Sequence, residues 1–164
     1  MTRTSALQIT TPTDREVVIT RVVDAPRGMV FDAFTKPDLV RRWMLGPPGS
    51  TMPVCEIDLR VGGKYRYVWE NADGQRMAMG GTFTEIVRPS RMVATQVFDE
   101  DWTGGETLVT TEIVEKNGKT TITTMVRYGS REARDAALQT GMAEGMEAGY
   151  QRLEELLKQE VTNG

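Results

Sequence analysis

The feature that most constrains this chain is a change of hydrophobic period. From Val54 to Arg127 apolar and polar residues alternate in pairs, and beyond Ser130 the apolar spacing becomes three and four. Period two marks strands with one buried face, and period 3.6 marks an amphipathic helix. An antiparallel sheet built from such strands must cover one face, and the terminal helix is the only segment long enough to do it. The expected class is α+β: a curved antiparallel sheet wrapped around a long C-terminal helix.

The segments before Val54 fit this plan. Glu16 to Val23 is β-branched and reads as the first strand. Asp24-Ala25-Pro26 reads as a helix entry, with the cap at Asp24 or Ala25 and Pro26 in the first turn. Helices are expected over Arg27 to Thr35 and Pro37 to Trp43, ended by Leu45-Gly46-Pro47-Pro48-Gly49. Cys55, Ile57 and Leu59 then face inward, as do Tyr65, Tyr67 and Trp69 after the Gly62-Gly63 turn. Met77 to Val87, Met92 to Phe98 and Thr107 to Glu115 read as further strands. Asn117-Gly118 suits a two-residue type I′ hairpin, which pairs Ile113 with Ile122, Thr111 with Thr124 and Val109 with Val126 on the core face. Ser130 caps a single helix from Arg131 to about Lys158. The domain plan is a flexible arm over 1–15, one domain over 16–158 and a tail over 159–164.

Composition narrows the chemistry. The 164 residues include no histidine and one cysteine, Cys55. That removes imidazole bases, Ser-His-Asp and Cys-His systems, His-ligated zinc, an internal disulfide and multi-Cys metal clusters. No metal or cofactor is expected. A net charge of -3 gives no electrostatic case for nucleic acid or an anionic membrane. No apolar run is long enough to span a membrane, and the N-terminus carries no secretory signal, so a cytoplasmic location is expected.

The order and spacing of several segments resemble the SRPBCC (START-like) superfamily, in its heat-shock-protein ATPase activator-like branch. They are Val18-Ile19 to Pro26, TKPDLVRRW ending at Trp43, DLRVGGKYRY from Asp58, the turn at Gly74, GGTFTEIVRPSRMV from Gly80, and Tyr128 to Leu157. The resemblance covers nearly everything from Glu16 to Lys158. It implies a helix-grip (START/Bet v 1-like) fold enclosing a hydrophobic cavity, in a family where homodimers are common. The co-chaperone activity belongs to larger members with an extra N-terminal domain and is not carried over.

Three functions compete. The leading one is binding of a small apolar or aromatic molecule between sheet and helix. Tyr65, Tyr67 and Trp69, with Met79 and Phe83, form one wall, and Met142, Met146 and Tyr150 form the other. Thr111, Thr124 and Tyr128 orient polar atoms, and Trp43 and Met44 begin a lid or plug with the following Gly-Pro-Pro-Gly segment. Methionine and aromatic residues line adaptable apolar sites. Gly141, Gly145 and Gly149 recur every fourth residue of the helix, each costing about 1 kcal/mol against alanine. They serve either close packing or ligand volume. The second function is a cavity enzyme of the cyclase or hydrolase type, for which Glu70, Glu85 and Glu112 are the strand carboxylates available. The third is a protein-interaction module, with Trp102 in an acidic loop as its exposed anchor. Cys55 reads as a buried structural thiol.

Overall fold

The computed structural model describes residues 7–45, 49–100, 105–140 and 142–163; for Met142 and residues 160–163 it describes the backbone alone. Among these, β1 (Gln8–Thr10), β2 (Glu16–Val23), β3 (Thr51–Ile57), β4 (Lys64–Glu70), β5 (Arg76–Val87), β6 (Arg91–Phe98), β7 (Thr107–Lys116) and β8 (Lys119–Arg127) form one sheet. Its order is β1-β2-β8-β7-β6-β5-β4-β3, antiparallel throughout. Helices α1 (Arg27–Thr35) and α2 (Pro37–Trp43) follow β2, and α3 (Arg131–Leu138) and α4 (Met142–Asn163) follow β8. This is the α+β architecture of one curved sheet closed by C-terminal helices.

The β7–β8 hairpin turns at Asn117 (φ 55°) and Gly118 (φ 78°). Both sit in the left-handed region that a type I′ turn needs and that Asn and Gly tolerate best. The register matches the turn: Ile113 faces Ile122, Thr111 faces Thr124, and Val109 faces Val126. Across the sheet, β5 comes closest to its neighbours at Gly81, which stands opposite Tyr65. A Cβ there would overlap the carbonyl oxygen of Thr95 and meet the Tyr65 ring at 3.0 Å. The Tyr65 hydroxyl donates to that same carbonyl at 2.8 Å, so an aromatic ring fills the space over the missing side chain. A register shift between Phe83 and Glu85 bends β5 further. At the far edge, Pro53 and a register shift between Thr51 and Val54 leave β3 a poor template for another strand.

Three expectations are corrected. The helix foreseen from Arg131 to Lys158 is two helices. Gln139 and Thr140 donate their N–H groups to Ala136 and Ala137 in tight i-to-i−3 bonds, and the Thr140 hydroxyl donates to Ala137 O at 2.6 Å. These bonds use up the carbonyls that a continuing α-helix would need. Ser130 does cap α3, accepting from Ala133 N. The N-cap of α1 is Pro26 itself, with extended backbone and no side-chain cap; Glu115 of β7 instead accepts the Arg27 N–H at 2.9 Å. Finally, the segment read as an arm includes β1, whose Gln8–Thr10 pair with Val18–Thr20.

One inward position on β2 is charged. Arg21 is 3% exposed, and its guanidinium donates to Glu147 (3.0 Å) and Glu154 (2.6 Å), both on α4. Glu147 also accepts from the Leu7 N–H and from Gln151. This cluster clamps α4 to the sheet. On one side of it a dry core joins Tyr150, Leu153, Leu156 and Leu157 of α4 to Val30, Phe31 and Ala33 of α1 and to Ile113 and Ile122 of the hairpin. Toward the N-terminal turns of α4, the sheet and helix part.

Candidate functional site

Where they part there is a cavity of about 840 Å³. The concave face of the sheet supplies most of its wall. Alternation along β4 sends Tyr65, Tyr67 and Trp69 inward, and the facing stretch of β5 adds Met79 and Phe83. Thr111 of β7, Thr124 of β8 and Tyr128 just beyond β8 line the opposite side. Trp43, Met44, Met146 and Tyr150 close it from the helical side. The structure therefore brings twelve of the thirteen singled-out residues around one space; the side chain of the thirteenth, Met142, lies outside the described residues. Gly46, Pro47, Pro48, Trp102 and Gly141 lie outside them as well.

The aromatic side chains form a connected band. Ring centroids are 5.2 Å apart for Tyr65–Tyr67, 5.5 Å for Tyr65–Phe83 and 5.8 Å for Tyr67–Trp69. On the helical side Trp43 stacks on Tyr150 at 5.8 Å and tilts against Phe34 at 4.9 Å. Tilted and edge contacts of this kind hold each ring in place, so the wall is formed before anything binds. Both indole N–H groups in the band are committed: Trp43 Nε1 donates to Ala33 O at 2.8 Å, and Trp69 Nε1 to Met44 O at 2.7 Å. The second bond pins Met44 over the cavity.

Of the three glycines spaced along the C-terminal helical region, Gly145 and Gly149 are described, and neither is required by a close approach. A Cβ at Gly145 would meet nothing within 4 Å, so its missing side chain leaves open volume on the cavity wall. At Gly149 a Cβ would meet Trp43 O at 3.6 Å and the Trp43 ring at 3.9 Å, ordinary contact distances, so α4 packs against the end of α2 there without needing a glycine.

Electrostatically the interior is neutral. Among the described lining residues Arg76 is the one charged side chain; it is largely exposed and paired with Glu70 at 3.4 Å. Glu85 and Glu112 both point to the outer face, where Arg91 bridges them at 2.9 and 3.3 Å. The strand carboxylates that a cyclase or hydrolase would use thus stand outside the cavity lining. Burial pushes the hydroxyls of Tyr65 and Tyr67 well above the ordinary phenol range and raises that of Tyr128. Tyr150 is pushed up to about 12 by burial, moderated by a hydrogen bond with Thr124 and by the charge of Arg21. All four tyrosines are neutral hydrogen-bonding groups at physiological pH. Cys55 is buried behind the β4 wall, and burial pushes its thiol up to about 11, so no reactive thiolate forms there.

Some lining residues escaped the sequence reading. Met92, Ala94, Gln96 and Phe98 alternate inward along β6, and Ile19 does so on β2. Counting period two outward from Met92 would have found the first set. Nothing in the sequence tells that Ile19 lines the cavity while Val23, on the same face, lies in the dry core.

The family model described as Activator of Hsp90 ATPase homolog 1-like protein matches residues 24–158. A crystal structure of a protein from Rhodobacter sphaeroides is 30% identical, with a TM-score of 0.89 over 94% of this chain and 99% of that one. A protein from Chromobacterium violaceum is 26% identical, with a TM-score of 0.74 over 87% and 96%. An AHSA1-like protein from Aeromonas hydrophila, 21% identical, shares the fold with a TM-score of 0.68 over 85% and 93%. No curated protein matches the chain.

Proposed function

We propose, since this chain belongs to the Activator of Hsp90 ATPase homolog 1-like family, that it binds a small hydrophobic or aromatic molecule in the cavity between sheet and α4. The observation that carries this reading is the cavity of about 840 Å³, walled by a pre-formed aromatic and methionine band. That volume is within the usual range for small-molecule sites. A chain selected for stability alone gains by packing such a wall, because apolar surface left accessible forgoes roughly 25 cal/mol per Å² of burial.

The same reading places the protein in the cytoplasm and includes a homodimer. Native mass spectrometry of freshly purified protein tests both the ligand and the dimer. A mass excess of a few hundred daltons, lost on denaturation, is the expected result. A clean apo mass, together with no change in Trp43 and Trp69 emission across a panel of aromatic ligands, would overturn the binding reading.

A further inference from the structure

The chain contains four tyrosines, all of them lining the cavity. Two have their hydroxyls engaged. Tyr65 donates to Thr95 O at 2.8 Å, and Tyr150 shares a hydrogen bond with Thr124. The other two differ. Tyr67 is 7% exposed and Tyr128 is 6% exposed and both line the cavity; among the described residues neither hydroxyl has a protein hydrogen-bond partner, and neither is sealed away from the open space. Phenylalanine would fill the same space with an apolar ring, so each tyrosine adds a hydroxyl that the packing does not use and that stands free for whatever occupies the cavity. Two such hydroxyls, one on β4 and one just beyond β8, mark positions where an occupant of the cavity is hydrogen-bonded.

The surroundings limit what that partner is. Among the described residues no cation faces either hydroxyl from within the cavity. Arg76 stands at the mouth with Glu70, and Arg21 lies behind Tyr150 with its guanidinium held by Glu147 and Glu154. An anionic group on the ligand would therefore be buried uncompensated. A cationic group would find no carboxylate among the described lining residues. Either cost far exceeds what a phenol hydrogen bond returns.

We propose, resting on the binding reading above, that the cavity selects an uncharged aromatic molecule bearing carbonyl or hydroxyl oxygen, and that Tyr67 and Tyr128 are the residues that select it. The hydrocarbon body lies against the β4–β5 band, and the oxygen accepts from, or donates to, these two hydroxyls.

Three probes of one shape separate the alternatives: fluorene, 9-fluorenone and fluorene-9-carboxylate. Their affinities are measured by calorimetry and by quenching of tryptophan emission. Fluorenone is expected to bind about tenfold more tightly than fluorene, and the carboxylate more weakly than either. In Tyr67→Phe/Tyr128→Phe the fluorenone advantage falls to about twofold or less, while fluorene affinity is unchanged. The single variants carry the same test if the double variant loses its fold. Equal binding of fluorene and fluorenone, tightest binding of the carboxylate, or a preference that survives both substitutions would each overturn this proposal while leaving cavity binding intact. Failure of all three probes to bind would overturn both.

Discussion

At Gly81 the wall of the cavity depends on one absent methyl group. A Cβ would overlap the Thr95 carbonyl that Tyr65 holds. Gly81→Ala is expected to cost about 3 kcal/mol, the upper end for an overpacked interior, read as a lower urea midpoint. Gly145 predicts the opposite sign. Its surroundings are empty, so Gly145→Ala should stabilise the protein by roughly 0.5–1 kcal/mol through helix propensity. A fall in melting temperature for that variant would show that the helix backbone at 145 needs glycine. Cys55 makes a third test at this scale. With its thiol held near 11 and buried, it should resist iodoacetamide at pH 8 until urea is added, as followed by intact mass.

Among the elements, α4 is held by charge as well as by its apolar side. Burial favours the neutral form of Glu147, but hydrogen bonds from Arg21, Gln151 and the Leu7 N–H outweigh it, and its carboxyl sits below the ordinary 4.5. A folded-state value below the unfolded one stabilises the protein above pH 4.5, and that contribution is lost as pH falls through the folded value. Calorimetry should show a melting temperature that is steady near neutrality and drops below about pH 4.5. Glu147→Gln should flatten part of that drop. Removing the buried partner and removing its carboxylates should also differ. Arg21→Met leaves two carboxylates that are 26% and 19% exposed and reach water, whereas Glu147→Ala/Glu154→Ala removes both carboxylates from a guanidinium that is 3% exposed. The double variant should therefore lose more, on the order of 3–5 kcal/mol, as urea unfolding would report.

For the whole molecule, an open interior means that stability and occupancy are linked. A ligand at one hundred times its Kd should add about 2.7 kcal/mol, so a co-purified occupant would raise the melting temperature and its extraction would lower it. Much of the architecture was already legible in the chain. Asn117-Gly118 fixed a turn, the turn fixed the β7–β8 register, and alternation along β4 placed Tyr65, Tyr67 and Trp69 on one face. These are local properties, written in neighbouring residues and in a side-chain period of two. The break between α3 and α4 was missed because Thr140 competes for a backbone carbonyl through its own hydroxyl, which a count of helical spacing does not register. Arg21 was missed because its two carboxylate partners stand over a hundred residues away. The empty space was beyond reach for the same reason. Sequence determined which side chains face inward. Only the tertiary structure decided which of them meet, at Ile113 and Leu153, and which stand apart around a cavity, at Tyr67 and Tyr128. That division depends on the curvature of the sheet and on the height at which α4 is clamped above it, and both arise from contacts between distant segments.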